Sequence, residues 1–120
     1  MLAPWASIHP FEFWIIPKRH QSTILDMTRD ESIELAETMR VSFGALSNLL
    51  SDPPYNFGFH MSRGNRYHWH LEVYPKLTTW AGFEKSTDMY INIVSPEEAA
   101  LNLRKFAAKE YDTIGRQKQN

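Results

Sequence analysis

The chain has 120 residues, no cysteine and a formal net charge of −1. Its length predicts one domain. Without thiols, any bound metal must use imidazole and carboxylate ligands. The charge provides no basic surface of the kind that long nucleic acid requires. No apolar run approaches the roughly 20 residues of a membrane span, and the N-terminus has no signal-peptide pattern. We therefore expect a cytoplasmic protein that does not enter a membrane.

The first half of the chain predicts a strand followed by a long helix. Phe11–Ile16 is aromatic and β-branched and is followed by Pro17, a pattern typical of a short strand. Thr28-Arg-Asp-Glu31 matches a capping box, which marks the start of a helix. Apolar residues then recur at helical spacing to about Leu50, and Asp52-Pro-Pro54 ends the helix.

The middle of the chain predicts an antiparallel hairpin. Aromatic residues alternate with other residues along Tyr55–His60, so the aromatic side chains face one side of a strand. Residues 62–66 form a turn, and the second strand covers Tyr67–Tyr74.

The last third of the chain predicts another strand and a second helix. Asp88–Val94 has strand composition, and Ser95 and Pro96 open a helix that runs to about Lys109. The predicted fold class is therefore α+β over residues 1–110, with a mainly antiparallel sheet of about five strands and two helices. Residues 111–120 are predicted to form a polar, flexible tail.

The second strand of the hairpin carries the candidate site. Side chains alternate along a strand, so His68, His70 and Glu72 share one face, while the apolar residues between them must be buried. In the hairpin, His60 projects from the neighbouring strand onto that face. Imidazoles with a carboxylate suit zinc or ferrous iron. Alternatively, a neutral imidazole can attack phosphorus as a nucleophile.

A structural role competes with both of these interpretations. One histidine on a strand is more often a surface or satisfied residue than a functional one. Two histidines at alternate positions followed by a carboxylate are harder to explain in that way. His9 and His20 are isolated in the sequence, and their spacing assigns them no role.

Five blocks of this sequence resemble, in the same order, the C-terminal half of galactose-1-phosphate uridylyltransferase-like proteins, which belong to the histidine-triad superfamily. The resemblance extends from about Trp5 to Phe106. The blocks are Phe11–His20, Pro53–Phe57, His68–Leu77, Ala81–Glu84 and Ile91–Glu98.

The resemblance implies a histidine-triad fold and an activity that transfers UMP from UDP-glucose to galactose 1-phosphate through a uridylyl-histidine intermediate. The family's nucleophile lies in the N-terminal half, in a His-Pro-His-Gly-Gln context that this chain lacks. Positions that match His60, His70 and Glu72 resemble the family's metal site, although the family often has histidine where Glu72 stands. Phe83 and Glu84 match the part that reaches the sugar phosphate, often that of a neighbouring subunit.

The resemblance therefore leaves three functions open. In the first, the chain is the supporting half of a uridylyltransferase-like enzyme that binds nucleotide sugars and sugar phosphates. It then works as a homodimer or with a partner half-domain. Alternatively, it is a free-standing histidine-triad hydrolase or transferase, in which the middle residue His70 is the nucleophile and His68 lies beside it. The third alternative is a non-catalytic domain that binds metal or dimerises. For Phe83, plain core packing is an equal alternative to sugar binding.

Overall fold

The computed structural model describes residues 1–64 and 66–117, with side chains described as far as Arg116. Residue 65, in the predicted turn, and residues 118–120, in the predicted tail, lie outside this part. The elements in chain order are β1 (Phe13–Ile15), a 3₁₀ turn (Ile24–Asp26), α1 (Arg29–Leu50), β2 (Tyr55–His60), β3 (His70–Pro75), α2 (Gly82–Thr87) and α3 (Pro96–Gln117). The α+β class is thus confirmed.

The sheet has three antiparallel strands in the order β1-β3-β2, so β3 is the central strand. The predicted hairpin is confirmed, with His60 paired to His70 and Gly58 paired to Glu72. Its second strand, however, begins at His70 and not at the predicted Tyr67. On the other side of β3, Trp14 of β1 is paired to Glu72. Side chains of both neighbouring strands therefore lie beside those of the central strand β3.

The prediction of about five strands is wrong for the described residues, which form three. Asp88–Val94 is irregular and lies outside the sheet. A strand requires a partner edge as well as strand composition. Here the segment is held by the side-chain amide of Asn92, which donates to the carbonyl oxygens of Ser7 and His9 at 3.0 and 3.2 Å.

The helices also differ from the prediction in number and length. The short helix α2 was not predicted, so the described residues form three α-helices instead of two. The helix α3 extends to Gln117, well beyond the expected end near Lys109. Its predicted start at Pro96 is confirmed, and the hydroxyl of Ser95 caps the helix by accepting a hydrogen bond from the Glu98 N–H at 3.1 Å. No helix in the described part of the chain combines the length and apolar character needed to cross a membrane.

The core lies between the helices and one face of the sheet. Two faces of the sheet differ because strand side chains alternate. Buried apolar residues of the sheet pack with helix residues in a single cluster, and the half-buried polar residues of β3 lie on the opposite face. The buried cluster consists of Phe13, Ile15, Leu46, Leu71, Val73 and Leu103. The predicted burial of the apolar residues between His68, His70 and Glu72 is therefore confirmed.

The start of α1 shows the predicted capping box. The hydroxyl of Thr28 accepts from the Glu31 N–H at 3.2 Å, and the Glu31 carboxylate accepts from the Thr28 N–H at 2.8 Å. Arg19 also donates twice to this carboxylate, at 2.8 Å each. The bonds from Arg19 and from the Thr28 backbone lower the pKa of Glu31 to about 2. The loop after β1 is thereby tied to the helix.

We expect Thr28→Ala to lower the free energy of unfolding by about 1 kcal/mol, because it removes an N-cap acceptor. Urea denaturation followed by circular dichroism measures this change. Thr113→Ala is a matched control, since Thr113 is exposed inside α3 and its hydroxyl donates only to the Lys109 carbonyl. Equal losses in the two variants would contradict a capping role for Thr28.

Candidate functional site

Three side chains converge on the solvent-facing side of the sheet. His60, His70 and Glu72 each offer one nitrogen or oxygen atom, and these atoms lie within 4.8 Å of one another. Cross-strand pairing places His60 beside His70, and the strand period places Glu72 on the same face. The side chains of His70 and Glu72 are mostly buried, whereas that of His60 is 42% exposed. The cluster is therefore reached from the β2 side.

The carboxylate of Glu72 is the centre of this cluster. Its Oε1 lies 2.9 Å from His70 Nε2, and its Oε2 lies 3.5 Å from His60 Nε2. The hydroxyl of Tyr74 donates to Oε2 and also lies 3.1 Å from His60 Nε2. Burial and the bond to Glu72 raise the pKa of Tyr74, so this side chain remains a neutral donor.

The imidazole of His70 has a defined orientation. Its Nδ1 lies 3.1 Å from the carbonyl oxygen of His68. A carbonyl can only accept, so Nδ1 donates to it. The Glu72 carboxylate also only accepts, so in the metal-free chain Nε2 approaches it with a hydrogen, and a bound ion would take the place of that hydrogen. The ring also stacks on Trp14 with centroids 4.6 Å apart, and on His60 with centroids 5.2 Å apart. Since β1 and β2 flank β3, these two rings approach His70 from opposite sides.

The donor set of this cluster fits a divalent metal ion. Two imidazole nitrogens and one carboxylate are ligands of catalytic zinc and of non-haem ferrous iron. A backbone carbonyl that accepts from the second nitrogen of a ligating histidine is a common outer contact of metal sites, and His68 provides it for His70. The distances of 2.9 and 3.5 Å from Glu72 to the two imidazoles are compatible with ligands that share one ion.

The structure does not bring His68 into this cluster. The strand β3 begins only at His70, so strand alternation does not govern the direction of the His68 side chain. Its ring lies 5.1 Å from that of His20, and its buried Nε2 has no hydrogen-bond partner in the described part of the chain. A catalytic role for His68 therefore stays a prediction.

A shallow groove of about 430 Å³ adjoins Glu72. Its lining is mixed, with carboxylates, aromatic rings and one lysine. The lining residues are Ala6, Ile8, His9, Glu12, Asn56, Glu72, Tyr74, Lys76 and Trp80. His9, which received no role from the sequence, packs here between Tyr74 and Trp80, with ring centroids 5.4 and 5.5 Å away. Burial lowers the pKa of His9, so its neutral form is favoured in the groove.

Sequence reasoning missed two strand residues that touch the cluster. Tyr74 lies two positions after Glu72, and Trp14 belongs to the first predicted strand. Strand alternation could have placed Tyr74 on the face of the histidines. For Trp14 no such signal existed, because its position depends on how β1 pairs with β3.

Phe83 and Glu84 lie in the helix α2, and neither lines the groove described above. The ring of Phe83 is 48% exposed, so core packing does not account for it. The carboxylate of Glu84 accepts a hydrogen bond from the Ala81 N–H at 3.0 Å and thereby caps its own helix. Their predicted contact with a sugar phosphate stays a prediction.

The fold is that of a histidine-triad-like domain. A histidine-triad-like protein of Bartonella henselae superposes with a TM-score of 0.54 and 17% identity, over 83% of this chain and 71% of that one. At this level of identity the likeness concerns the fold alone. No family model matches the chain.

More similar proteins place the chain among larger relatives. It is 36% identical over 110 residues to the ADP-glucose phosphorylase of Arabidopsis thaliana, covering 86% of this chain and 31% of the relative. It is 34% identical over 116 residues to the galactose-1-phosphate uridylyltransferase of Thermotoga maritima, covering 86% of this chain and 36% of that protein.

Solved structures of the same kinds of protein superpose well on this chain. The crystal structure of the Arabidopsis ADP-glucose phosphorylase with bound ADP-glucose has a TM-score of 0.80 at 34% identity, over 86% of this chain and 36% of that one. A uridylyltransferase structure also has a TM-score of 0.80, at 30% identity, over 89% of this chain and 38% of that one. The chain is thus a homologue of galactose-1-phosphate uridylyltransferase-like proteins and spans about a third of their length.

Proposed function

We propose that this chain is a domain of a nucleotidyltransferase that acts on sugar phosphates, in which it supports metal and substrate binding. The convergence of His60, His70 and Glu72 on one side of the sheet is the observation that carries the proposal. The names of the two relatives, an ADP-glucose phosphorylase and a galactose-1-phosphate uridylyltransferase, point to nucleotide sugars and sugar phosphates as ligands.

The metal of this site is proposed to be zinc or ferrous iron, held by His60, His70 and Glu72. When bound, such an ion would join β2 to β3 and add positive charge beside the groove. In metal binding, His70 supplies the lone pair of Nε2 while its Nδ1–H remains bonded to the His68 carbonyl. Tyr74 supports Glu72 by donating to its Oε2.

The geometry favours support over nucleophilic attack by His70. A nucleophilic nitrogen needs an open approach to the phosphorus atom. Both ring nitrogens of His70 are engaged, Nδ1 with the His68 carbonyl and Nε2 with Glu72. Its two ring faces are covered by Trp14 and His60. We therefore place the nucleophile of the transfer reaction outside this chain.

Phe83 and Glu84 are proposed to contact the hexose phosphate. The exposed ring of Phe83 can cover the apolar face of a sugar, and a carboxylate accepts from sugar hydroxyls. Because α2 does not line the groove beside Glu72, these residues would serve a site completed by a second copy of the chain or by a partner half-domain.

Incubation of the chain with UDP-glucose or ADP-glucose, followed by intact-mass spectrometry, tests the assignment of the nucleophile. We expect no covalent nucleotidyl adduct. An adduct that forms on the wild type and is lost in His70→Ala would contradict the proposal and establish a free-standing histidine-triad enzyme.

The substrate part is measured separately by NMR titration with galactose 1-phosphate and glucose 1-phosphate. We expect the amide signals of Phe83 and Glu84 to shift, and Phe83→Ala to weaken the response. Phe57→Ala is the matched control, because Phe57 is equally exposed at 48% but lies on β2. The same response with inorganic phosphate alone would argue against sugar recognition.

A further inference from the structure

A buried carboxylate next to the first strand is fully engaged by hydrogen bonds. Glu12 is only 5% exposed. Its Oε2 accepts from the backbone N–H groups of Ile8 and His9 at 3.1 and 3.2 Å, and its Oε1 accepts from the indole N–H of Trp14 at 3.1 Å. A buried carboxylate requires such donors to offset its lost hydration. With both oxygens engaged, the Glu12 side chain has a single orientation.

The backbone beside Glu12 adopts a rare conformation. Phe11, which directly precedes it, has a φ of 59°, a region that residues other than glycine seldom occupy. Such conformations persist only where the surrounding contacts maintain them. The donors that surround Glu12 supply contacts of this kind. Core packing alone does not require a carboxylate to be buried here. Because the indole of Trp14 donates to Glu12, the buried carboxylate and the turn beside it instead serve to hold Trp14 in place.

Hydrogen bonds fix both the indole edge and the backbone of Trp14. The bond to Glu12 sets the direction of the indole N–H. The backbone of Trp14 exchanges two hydrogen bonds with Leu2, at 2.8 and 2.9 Å, and pairs with Glu72 of β3 on the other side. The indole face then lies against the His70 ring, with an angle of 21° between the two planes.

This stack restricts the rotation of His70. The imidazole of a histidine can rotate about its terminal torsion, which has broad and roughly two-fold wells. A rotation of 180° would exchange the edge bearing Nε2 with a carbon edge and turn Nε2 away from Glu72. The bond from Nδ1 to the His68 carbonyl opposes this rotation, and the flat indole against the His70 face stabilises the observed ring plane against tilting.

We infer that Trp14, held by the buried Glu12, is a positioning residue that keeps the His70 imidazole oriented for metal binding. The inference rests on the proposed metal site, since the benefit of the orientation is an Nε2 lone pair aimed at the ion. Outer contacts of this kind commonly change metal affinity by about 10–100-fold.

The first test measures Zn²⁺ affinity by competition with a chromophoric chelator. We expect Trp14→Leu to bind Zn²⁺ about 10-fold more weakly than the wild type. Trp14→Phe retains an aromatic face and should restore most of the affinity. Trp5→Leu is the matched control, because Trp5 is 85% exposed, and its affinity should equal that of the wild type. Melting temperatures identify any variant that does not fold, in which case Trp14→Met replaces Trp14→Leu.

The second test needs no metal. Long-range ¹H–¹⁵N NMR of the metal-free chain at one fixed pH reports the ratio of Nδ1–H to Nε2–H in His70. We expect the same ratio in the wild type and in Trp14→Phe, because both nitrogens keep their acceptors, and a lower share of Nδ1–H in Trp14→Leu, whose ring can tilt away from the His68 carbonyl. A loss of stability alone would not change this ratio.

The two readouts separate the inference from the proposed function. If the wild type binds neither Zn²⁺ nor Fe²⁺, the proposed metal site is wrong. The positioning of His70 by Trp14 is then tested by the NMR ratio alone. A folded Trp14→Leu or Trp14→Met variant with the wild-type ratio would overturn the inference in that case. If the wild type does bind Zn²⁺, an unchanged affinity in the same variant would overturn it.

Discussion

His70→Ala is expected to lower the Zn²⁺ affinity of the chain by more than about 100-fold, since even outer contacts of metal ligands commonly contribute about 10–100-fold. The substitution removes one of three converging ligands, whose nitrogen lies 2.9 Å from the Glu72 carboxylate. His60 and Glu72 alone would leave the ion with too few protein ligands for a stable site. Isothermal titration calorimetry on chelator-treated protein measures the change.

The matched control for this prediction is His68→Ala. His68 is two positions away and of the same residue type, but its ring lies beside His20 and outside the cluster. Its contribution to His70 is a backbone carbonyl, which the substitution retains. We expect His68→Ala to bind Zn²⁺ like the wild type. Equal losses in the two variants would mean that the ion is bound elsewhere than on β2 and β3.

Phe13→Ala is expected to lower the free energy of unfolding by about 3–5 kcal/mol, the range for a large aromatic residue removed from a packed core. Phe13 is fully buried, pairs with Val73 in the sheet and packs against Phe43 of α1 with centroids 6.3 Å apart. Removing the ring leaves a cavity between the sheet and the helix that neighbouring side chains fill only in part.

Urea denaturation measures this loss, with Phe57→Ala as the control. Phe57 also pairs with Val73, but its side chain is 48% exposed on the edge strand. We expect Phe57→Ala to lower the free energy of unfolding by less than about 1.5 kcal/mol, because a half-exposed ring has less buried apolar surface to lose. Equal effects of the two substitutions would contradict the position of the core between β1, β3 and α1.

Local patterns were sufficient for the first helix and the hairpin. The capping box from Thr28 to Glu31 and the helical spacing of apolar residues predicted α1, whose observed range is Arg29–Leu50. The alternation in Tyr55–His60 predicted β2 with the bounds that the structure shows. Capping bonds and side-chain periods involve residues close in sequence, so they are visible before any tertiary contact is known.

The missed elements depend on distant contacts. Asp88–Val94 has the composition of a strand, but it has no place in the sheet, and Asn92 bonds to the N-terminal segment instead. The helix α2 is six residues long and is capped by Glu84, and so short a segment carries little periodicity. Whether a segment pairs as a strand depends on a free neighbouring edge, which the local sequence does not reveal.

By itself, the sequence determined that His70, Glu72 and His60 share one side of a hairpin, because strand alternation and cross-strand pairing fix the faces. Only the tertiary structure decided that His68 stands apart from them, since β3 begins at His70 and no strand period governs the preceding residues. Likewise, the pairing of β1 with β3 brought Trp14 and Glu12 to His70. That contact joins segments more than 50 residues apart and forms only when the chain closes into one sheet.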